Sequence, residues 1–251
     1  MNEPGMADST ARDWFREWFG DEYLAIYPHR DEQEARQAVR LYLSASAPPP
    51  GPILDLACGA GRHLRELLCA GLHAVGLDLS MTMLRKSRES SPRGALIRGD
   101  MRRLPFRAGG FSGLTSFFTS FGYFASAEQD RQAAGEMRRV LTPGGSFMLD
   151  FLNAERVRRD LVPAESGRIR GYDLAVERRI EDDTVIKSIR LRPDGGGDSQ
   201  VFEERVRLYE PEALEALLRD AGLDSRMRFG DYTGGRFDSD SVRMILAGVA
   251  A

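Results

Sequence analysis

The sequence predicts an α/β protein: a doubly wound, mostly parallel sheet with an N-terminal helical lid and an antiparallel β insertion. Three observations carry this expectation. Short apolar runs alternate with amphipathic helical stretches from Ile53 to Phe151, and strands alternating with helices imply right-handed crossovers and a sheet covered on both faces. After Phe151 the apolar period changes to two, with turn signals between the runs. Ahead of Ile53, Pro48-Pro49-Pro50-Gly51-Pro52 stops regular structure and sets a helical N-terminal part apart.

In chain order, Trp14, Phe15, Trp18 and Phe19 recur at helical spacing, and Arg30 to Leu43 reads as a helix with Ala35, Val39, Tyr42 and Leu43 on its apolar face. Strands are expected at Ile53 to Ala57, His73 to Leu77, Ala95 to Arg98, Gly113 to Phe118 and Ser146 to Phe151. Helices fall between them at His63 to Cys69, Met81 to Arg88 and Glu128 to Leu141. Period-two runs at Tyr172 to Ile180, Thr184 to Leu191 and Val201 to Tyr209 are divided by Asp182-Asp183 and by Pro193 to Gly197, both turn signals. Pro211 starts a helix through Ala221, Gly222 ends it, and strands near Arg226 to Phe229 and Val242 to Ala247 follow. The expected organisation is a tail and lid at 1–50, a cofactor-binding core at 51–153, a substrate-side insertion at 154–210, and a helix and strands completing the core at 211–251.

Composition narrows the function classes. A chain of 251 residues with 42% apolar and 29% charged residues can bury a core unaided, which argues against disorder or a disulfide-stapled fold. Its formal net charge of −3 argues against a polyanion binder that works through a basic field. The arginine pairs at Arg168/Arg170, Arg190/Arg192 and Arg205/Arg207 invite a phosphate reading, yet the acidic residues around them leave no net positive charge there. Cys58 and Cys69 are not at zinc-ligand spacing, so reduced thiols and no metal are expected. No apolar run approaches the roughly 18 residues of a membrane span, and Met1 to Thr10 is polar, so a cytoplasmic protein without membrane contact is expected.

The chemistry is concentrated in Ile53-Leu54-Asp55-Leu56-Ala57-Cys58-Gly59-Ala60-Gly61-Arg62-His63-Leu64. An acidic residue in the first strand is followed by a Gly-x-Gly turn and a helix, the layout of a nucleotide-type cofactor site at the carboxyl edge of a parallel sheet. A dinucleotide-binding domain is the first alternative, but its fingerprint needs a third small residue where Leu64 stands and does not require Asp55. Further along, Gly76-Leu77-Asp78-Leu79-Ser80 offers a carboxylate at the end of the second strand, able to accept two ribose hydroxyls. Gly99-Asp100-Met101 follows the third strand, and Leu141-Thr142-Pro143-Gly144-Gly145 precedes the fifth.

Taken in register, these motifs resemble the class I S-adenosylmethionine-dependent methyltransferases, whose fold is Rossmann-like. The resemblance implies that the backbone at Asp55, Ala57, Gly59 and Gly61 meets the methionine part of S-adenosylmethionine. It further implies that Asp78 holds the ribose, that Leu79 packs on the adenine, and that Asp100 and Met101 read its edge. Phe117-Phe118-Thr119-Ser120-Phe121-Gly122-Tyr123 stands where amino methyltransferases of DNA bases carry an Asn/Asp-Pro-Pro-Tyr signature, and it resembles small-molecule N-methyltransferases such as the amino-sugar N,N-dimethyltransferases. There the carbonyl matching Phe117 helps hold the cofactor's amino group, and the stretch Tyr23 to Arg30 resembles a lid in which Tyr27 and Arg30 approach the methionine end.

The expected reaction is methylation of a small molecule, at nitrogen rather than oxygen. RNA or protein methylation, and noncatalytic binding of S-adenosylmethionine, are the alternatives. Tyr123 and the lid residue His29 are the catalytic candidates, His29 as a general base. Tyr23, with Asp231 and Tyr232 in the loop after Phe229, is expected to meet the acceptor, because that loop returns to the carboxyl edge of the sheet. No nucleic-acid partner is expected, and a homo-oligomer is left open.

Overall fold

The computed structural model describes residues 14–27, 32–91 and 94–251. Its central sheet is assembled from β1 (Ile53–Leu56), β2 (Ala74–Asp78), β3 (Ala95–Arg98), β4 (Phe111–Ser116), β5 (Leu141–Leu152), β10 (Leu223–Phe229) and β11 (Arg243–Ala250) in the order β10-β11-β5-β4-β1-β2-β3. The strands from β5 to β3 run parallel, while β11 is antiparallel to both β5 and β10. The fold is Rossmann-like. Because β1 pairs with β2 on one side and β4 on the other, the topology reverses at β1 and β4, and a crevice opens at their carboxyl ends.

Covered faces explain the composition of the central strands. Every residue of β1 and β4 is buried, as both faces lie beneath helices. Helices α4 (Arg62–Cys69), α5 (Met81–Ser90) and α6 (Ala127–Val140) connect the strands. Local chemistry sets their starts: Ser80 caps α5 by accepting from the Met83 amide, and Ser126 caps α6 by accepting from Gln129. Pro211 opens α8 (Pro211–Asp220), and Gly222 leaves it at φ 86°, where a left-handed turn favours glycine.

A second, four-stranded antiparallel sheet follows β5, in the order β6 (Ala164–Ile169), β7 (Tyr172–Glu181), β8 (Thr184–Pro193) and β9 (Gln200–Arg207). Asp182 and Asp183 join β7 to β8 at φ 44° and 57°, a two-residue turn of the handedness a hairpin requires. On its inner face Val176, Ile189 and Leu191 are buried in the same cluster as Trp14, Phe15, Trp18 and Tyr23. Phe15 and Trp18 belong to α1 (Phe15–Trp18), which Trp14 precedes, and Tyr23 to α2 (Asp21–Ile26), so the insertion is the surface on which the N-terminal helices rest.

Three sequence expectations need correction. The segment expected as tail and lid over 1–50 is not all lid: α3 (Glu32–Ser46) packs beside α4, β5 and β11, with Ala38, Val39, Leu41 and Tyr42 in a cluster with Ile53, Met148 and Ile245. The Tyr42 hydroxyl reaches Ser146 Oγ at 2.9 Å. The helix α7 (Ala154–Asp160) and the strand β6 went unread, because β6 is exposed along nearly its whole length and has no alternation to read. Finally, β5 begins at Leu141 rather than Ser146, running through Pro143-Gly144-Gly145 where the sequence signals only a turn.

Candidate active site

The site begins in the turn between β1 and α4. Ala57, Gly59 and Gly61 all take positive φ (57°, 54° and 83°), and the Gly61 amide donates to the Cys58 carbonyl at 3.0 Å, folding the backbone tightly. The two glycines serve different ends. A Cβ on Gly61 would collide with Ser87 of α5, whereas the space beside Gly59 is open, so backbone there meets the cavity directly.

Asp78 closes this turn from the end of β2. Its Oδ2 accepts the Gly59 amide at 2.8 Å and its Oδ1 accepts the Ser80 amide at 2.8 Å. Burial pushes the Asp78 carboxyl up from the ordinary aspartate range, and the amides of Ser80, Gly59 and Leu79 pull part of the way back. Asp55 lies deeper, 1% exposed, with Oδ1 accepting from the Thr115 hydroxyl at 3.2 Å and Oδ2 without a partner among the described residues. Burial pushes its carboxyl up to about 7. Asp55 does not line the cavity; it stands behind the turn.

A cavity of about 1120 Å³ occupies the crevice. Its floor includes Ala57, Gly59, Asp78, Leu79, Asp100, Met101 and Phe117, which brings together most of the positions the sequence marks for the cofactor. Phe19, Tyr23, Tyr27 and Tyr123 line it as well. These rings contact one another: Phe19 and Tyr23 at 4.9 Å, Tyr23 and Tyr27 at 4.9 Å, and Phe19 stacked on Tyr123 at 6.0 Å between centroids. The Tyr123 hydroxyl donates to the Thr119 carbonyl, and the Tyr27 hydroxyl accepts from Lys187 of β8. Beneath them Trp18 packs on Phe202 at 4.5 Å and donates from Nε1 to Glu204 at 2.6 Å.

Asp100 reaches the cavity with its carboxylate already engaged, by Arg102 Nη2 at 2.7 Å, the Arg102 amide at 2.9 Å and Arg16 at 3.3 Å. Burial opposes ionisation there, but the Arg102 hydrogen bonds prevail and hold the carboxyl below its usual range. His29 and Arg30 lie outside the described residues.

The loop after β10 does not meet the cavity as expected. Asp231 turns its carboxylate back onto its own loop, accepting from the Thr233 amide at 2.7 Å and the Gly235 amide at 3.1 Å. Tyr232 is buried, with its hydroxyl on Asp150 and its ring edge-on to Phe117 at 6.2 Å. Sequence reasoning also missed lining residues. His63, assigned only to a helix start, is buried at the cavity wall 4.6 Å from the Phe117 ring, and Arg62 and Arg170 line the cavity as well. The Arg170-Gly171 turn at the tip of the β6–β7 hairpin was the signal that could have placed Arg170 at an edge.

An open glycine backbone, a carboxylate at the end of the second strand and an acidic residue after the third define a nucleoside-cofactor enzyme, and they fit S-adenosylmethionine. The uncovered space at Gly59 is the cradle that a Cβ would fill. Residues 53–145 match a methyltransferase-domain family. The chain is 32% identical over 154 residues to a dTDP-3-amino-3,4,6-trideoxy-alpha-D-glucopyranose N,N-dimethyltransferase of Streptomyces venezuelae, covering 56% of this chain and 64% of that protein. It is 29% identical over 215 residues to a dTDP-3-amino-3,6-dideoxy-alpha-D-glucopyranose N,N-dimethyltransferase of Streptomyces fradiae, covering 82% and 81%. A demethylmenaquinone methyltransferase of Beutenbergia cavernae is 34% identical over 198 residues, covering 78% of this chain and 75% of that one. Among solved structures, an S-adenosylmethionine-dependent methyltransferase from Clostridium acetobutylicum shares the fold with a TM-score of 0.78 at 19% identity, over 92% of this chain and 98% of that one. The chain belongs to the S-adenosylmethionine-dependent methyltransferases.

Proposed function

We propose that the protein methylates a nitrogen of a small-molecule amine. The observation that carries this reading is the cluster of aromatic rings lining the cavity, Phe19, Tyr23, Tyr27 and Tyr123, in the same cavity as the cofactor positions. A nitrogen that accepts a methyl group gains positive charge as the bond forms, and aromatic faces favour a desolvated cation. Asp21, which also lines the cavity, adds a negative charge there. The amino-sugar dimethyltransferases among the relatives act on amines by name, which supports the same class.

S-adenosylmethionine, when bound, supplies a methyl group on a sulfonium for in-line displacement. The chain's own part is alignment and exclusion of water. Gly59 meets the methionine part of the ligand and Asp78 its ribose, with Leu79, Asp100 and Met101 at its adenine side, and Phe117 forms the wall toward its amino group. Tyr23 and Tyr27 close the cavity as a lid carried by the insertion. Tyr123, its hydroxyl tied to Thr119, presents a fixed ring to the acceptor. An amine with a free lone pair requires no strong base, so His29 is a proton acceptor only for an ammonium substrate.

The relatives named demethylmenaquinone methyltransferases favour a second acceptor, a quinone or its quinol. Incubating the protein with S-adenosylmethionine and a panel of amines, amino sugars, quinols, RNA and peptides separates the readings. Release of S-adenosylhomocysteine with a mass increase on an amine is the expected result. Methylation confined to the quinol, or to RNA or peptide, overturns it.

A further inference from the structure

Behind the turn that follows β4, charged side chains from α3, α4, β5 and β11 form an alternating chain. Arg62 donates from Nη1 to Glu34 Oε2 at 2.9 Å, Glu34 Oε1 accepts from Arg243 Nη2 at 2.8 Å, and Arg243 Nη1 donates to Asp150 Oδ2 at 3.0 Å. Asp150 is fully buried. Its Oδ2 also accepts the Phe118 amide at 2.6 Å and the Tyr232 hydroxyl. With two guanidiniums and two carboxylates the chain is neutral.

The backbone it holds is strained. Phe118 and Thr119 are consecutive residues at φ 62° and 54°, a conformation that costs energy for side chains with a Cβ and persists only where the surroundings enforce it. Both of their amides end on Asp150: Phe118 on the carboxylate, Thr119 on the carbonyl at 3.2 Å. The guanidiniums of Arg62 and Arg243 lie 4.6 Å and 4.5 Å from the centroid of the Phe118 ring. Gly59 and Arg62 on one side and Phe117 and Phe118 on the other are both cavity walls. The chain therefore ties one wall to the other, through Glu34, Asp150 and Arg243, all outside the matched family domain.

A buried ion-pair chain is weak as a source of stability, since apolar side chains of like volume often serve as well. Its geometric consequence is specific. We infer that Asp150, Arg243 and Glu34 are positioning residues for the cofactor, fixing the spacing between the Gly59–Arg62 turn and the strained turn at Phe117–Thr119. This inference rests on the reading of Phe117 as the wall that meets the cofactor's amino group.

The test is calorimetric titration of the full chain with S-adenosylhomocysteine, with thermal unfolding of each variant measured alongside. Arg243→Lys keeps the charge but not the fork that joins two carboxylates, and it should weaken binding about tenfold. Asp150→Ala should weaken binding more than Asp150→Asn, which retains an oxygen for the Phe118 amide. Phe118→Gly removes the strain and the stacked ring, and in that background Arg243→Lys should cost little further affinity. Tyr232→Phe removes a single hydroxyl, so it serves if the others fail to fold, and a weakened affinity with unaltered unfolding supports the inference. Variants that unfold at lower temperature yet bind with wild-type affinity overturn it, for they reduce the network to a structural role. If Phe118→Gly weakens binding while the Asp150 and Arg243 variants do not, the inference falls alone. If Phe118→Gly leaves affinity unchanged, the reading of this turn as a cofactor wall falls and takes the inference with it.

Discussion

Two aspartates beside the same turn make opposite predictions, because one faces ligand and the other faces core. Asp78 accepts two backbone amides and keeps its carboxylate at the cavity, so Asp78→Ala should weaken S-adenosylhomocysteine binding by about 1 to 3 kcal/mol by calorimetry. Asp55 has one satisfied oxygen and one orphan in a buried site. Its carboxyl, pushed up to about 7, holds a proton more tightly folded than unfolded. It therefore favours the folded state fully below the ordinary aspartate range, and that contribution is lost as pH rises through about 7. Asp55→Asn should gain stability over the natural protein at about pH 8 and lose that gain at about pH 4, read from urea midpoints. An equal difference at both values would mean that Asp55 does not titrate in this window. The sequence made the glycines and Asp78 legible because their spacing along a strand and turn is local. It could not show that Asp150 and Arg243 meet across β5 and β11, so Tyr232 read as a loop residue facing substrate when it closes a buried network.

At the scale of elements, the lid and the insertion are one device. Trp18, 1% exposed, is the peg: it packs on Phe202, donates to Glu204 and contacts Tyr23 edge-on at 5.5 Å. Trp18→Ala should cost about 3 to 5 kcal/mol if the helices unfold with the domain. If α1 and α2 detach by themselves, the loss appears instead as faster proteolysis within residues 14–27, slowed less by S-adenosylhomocysteine than in the natural protein. Unchanged stability together with unchanged proteolysis would remove Trp18 as the anchor. Helical aromatic spacing made α1 visible, and period-two alternation made β7, β8 and β9 visible. What neither pattern carried was their mutual packing. Nor did it carry the placement of α3, whose apolar face fits a lid and a core layer equally well until Tyr42 is found against Ser146.

Across the whole molecule, the charge pattern bears on the acceptor. The insertion is rich in arginine, yet many of its guanidiniums are neutralised at short range: Arg168 by Asp173 and Asp194, Arg178 by Glu165, Arg179 by Glu181, Arg205 by Glu203, and Arg207 by the buried Asp130, while Arg170, Arg190 and Arg192 make no ion pair among the described residues. Such exposed pairs add little stability individually, but they reduce the number of isolated cations that a phosphate backbone could engage. Turnover of a small amine in the cavity should accordingly change far less with salt than nucleic-acid binding would, because the amine meets the charge of Asp21 rather than a row of phosphate contacts. A nucleic-acid substrate engaging several phosphates would instead lose affinity with a log-log slope of about −0.7 per single-strand contact. Measuring KM for the acceptor across a salt series decides between them. A nearly flat dependence fits an acceptor recognised inside the cavity by aromatic faces, whereas a steep decline would move recognition to the outer face of the insertion and require its ion pairs to open.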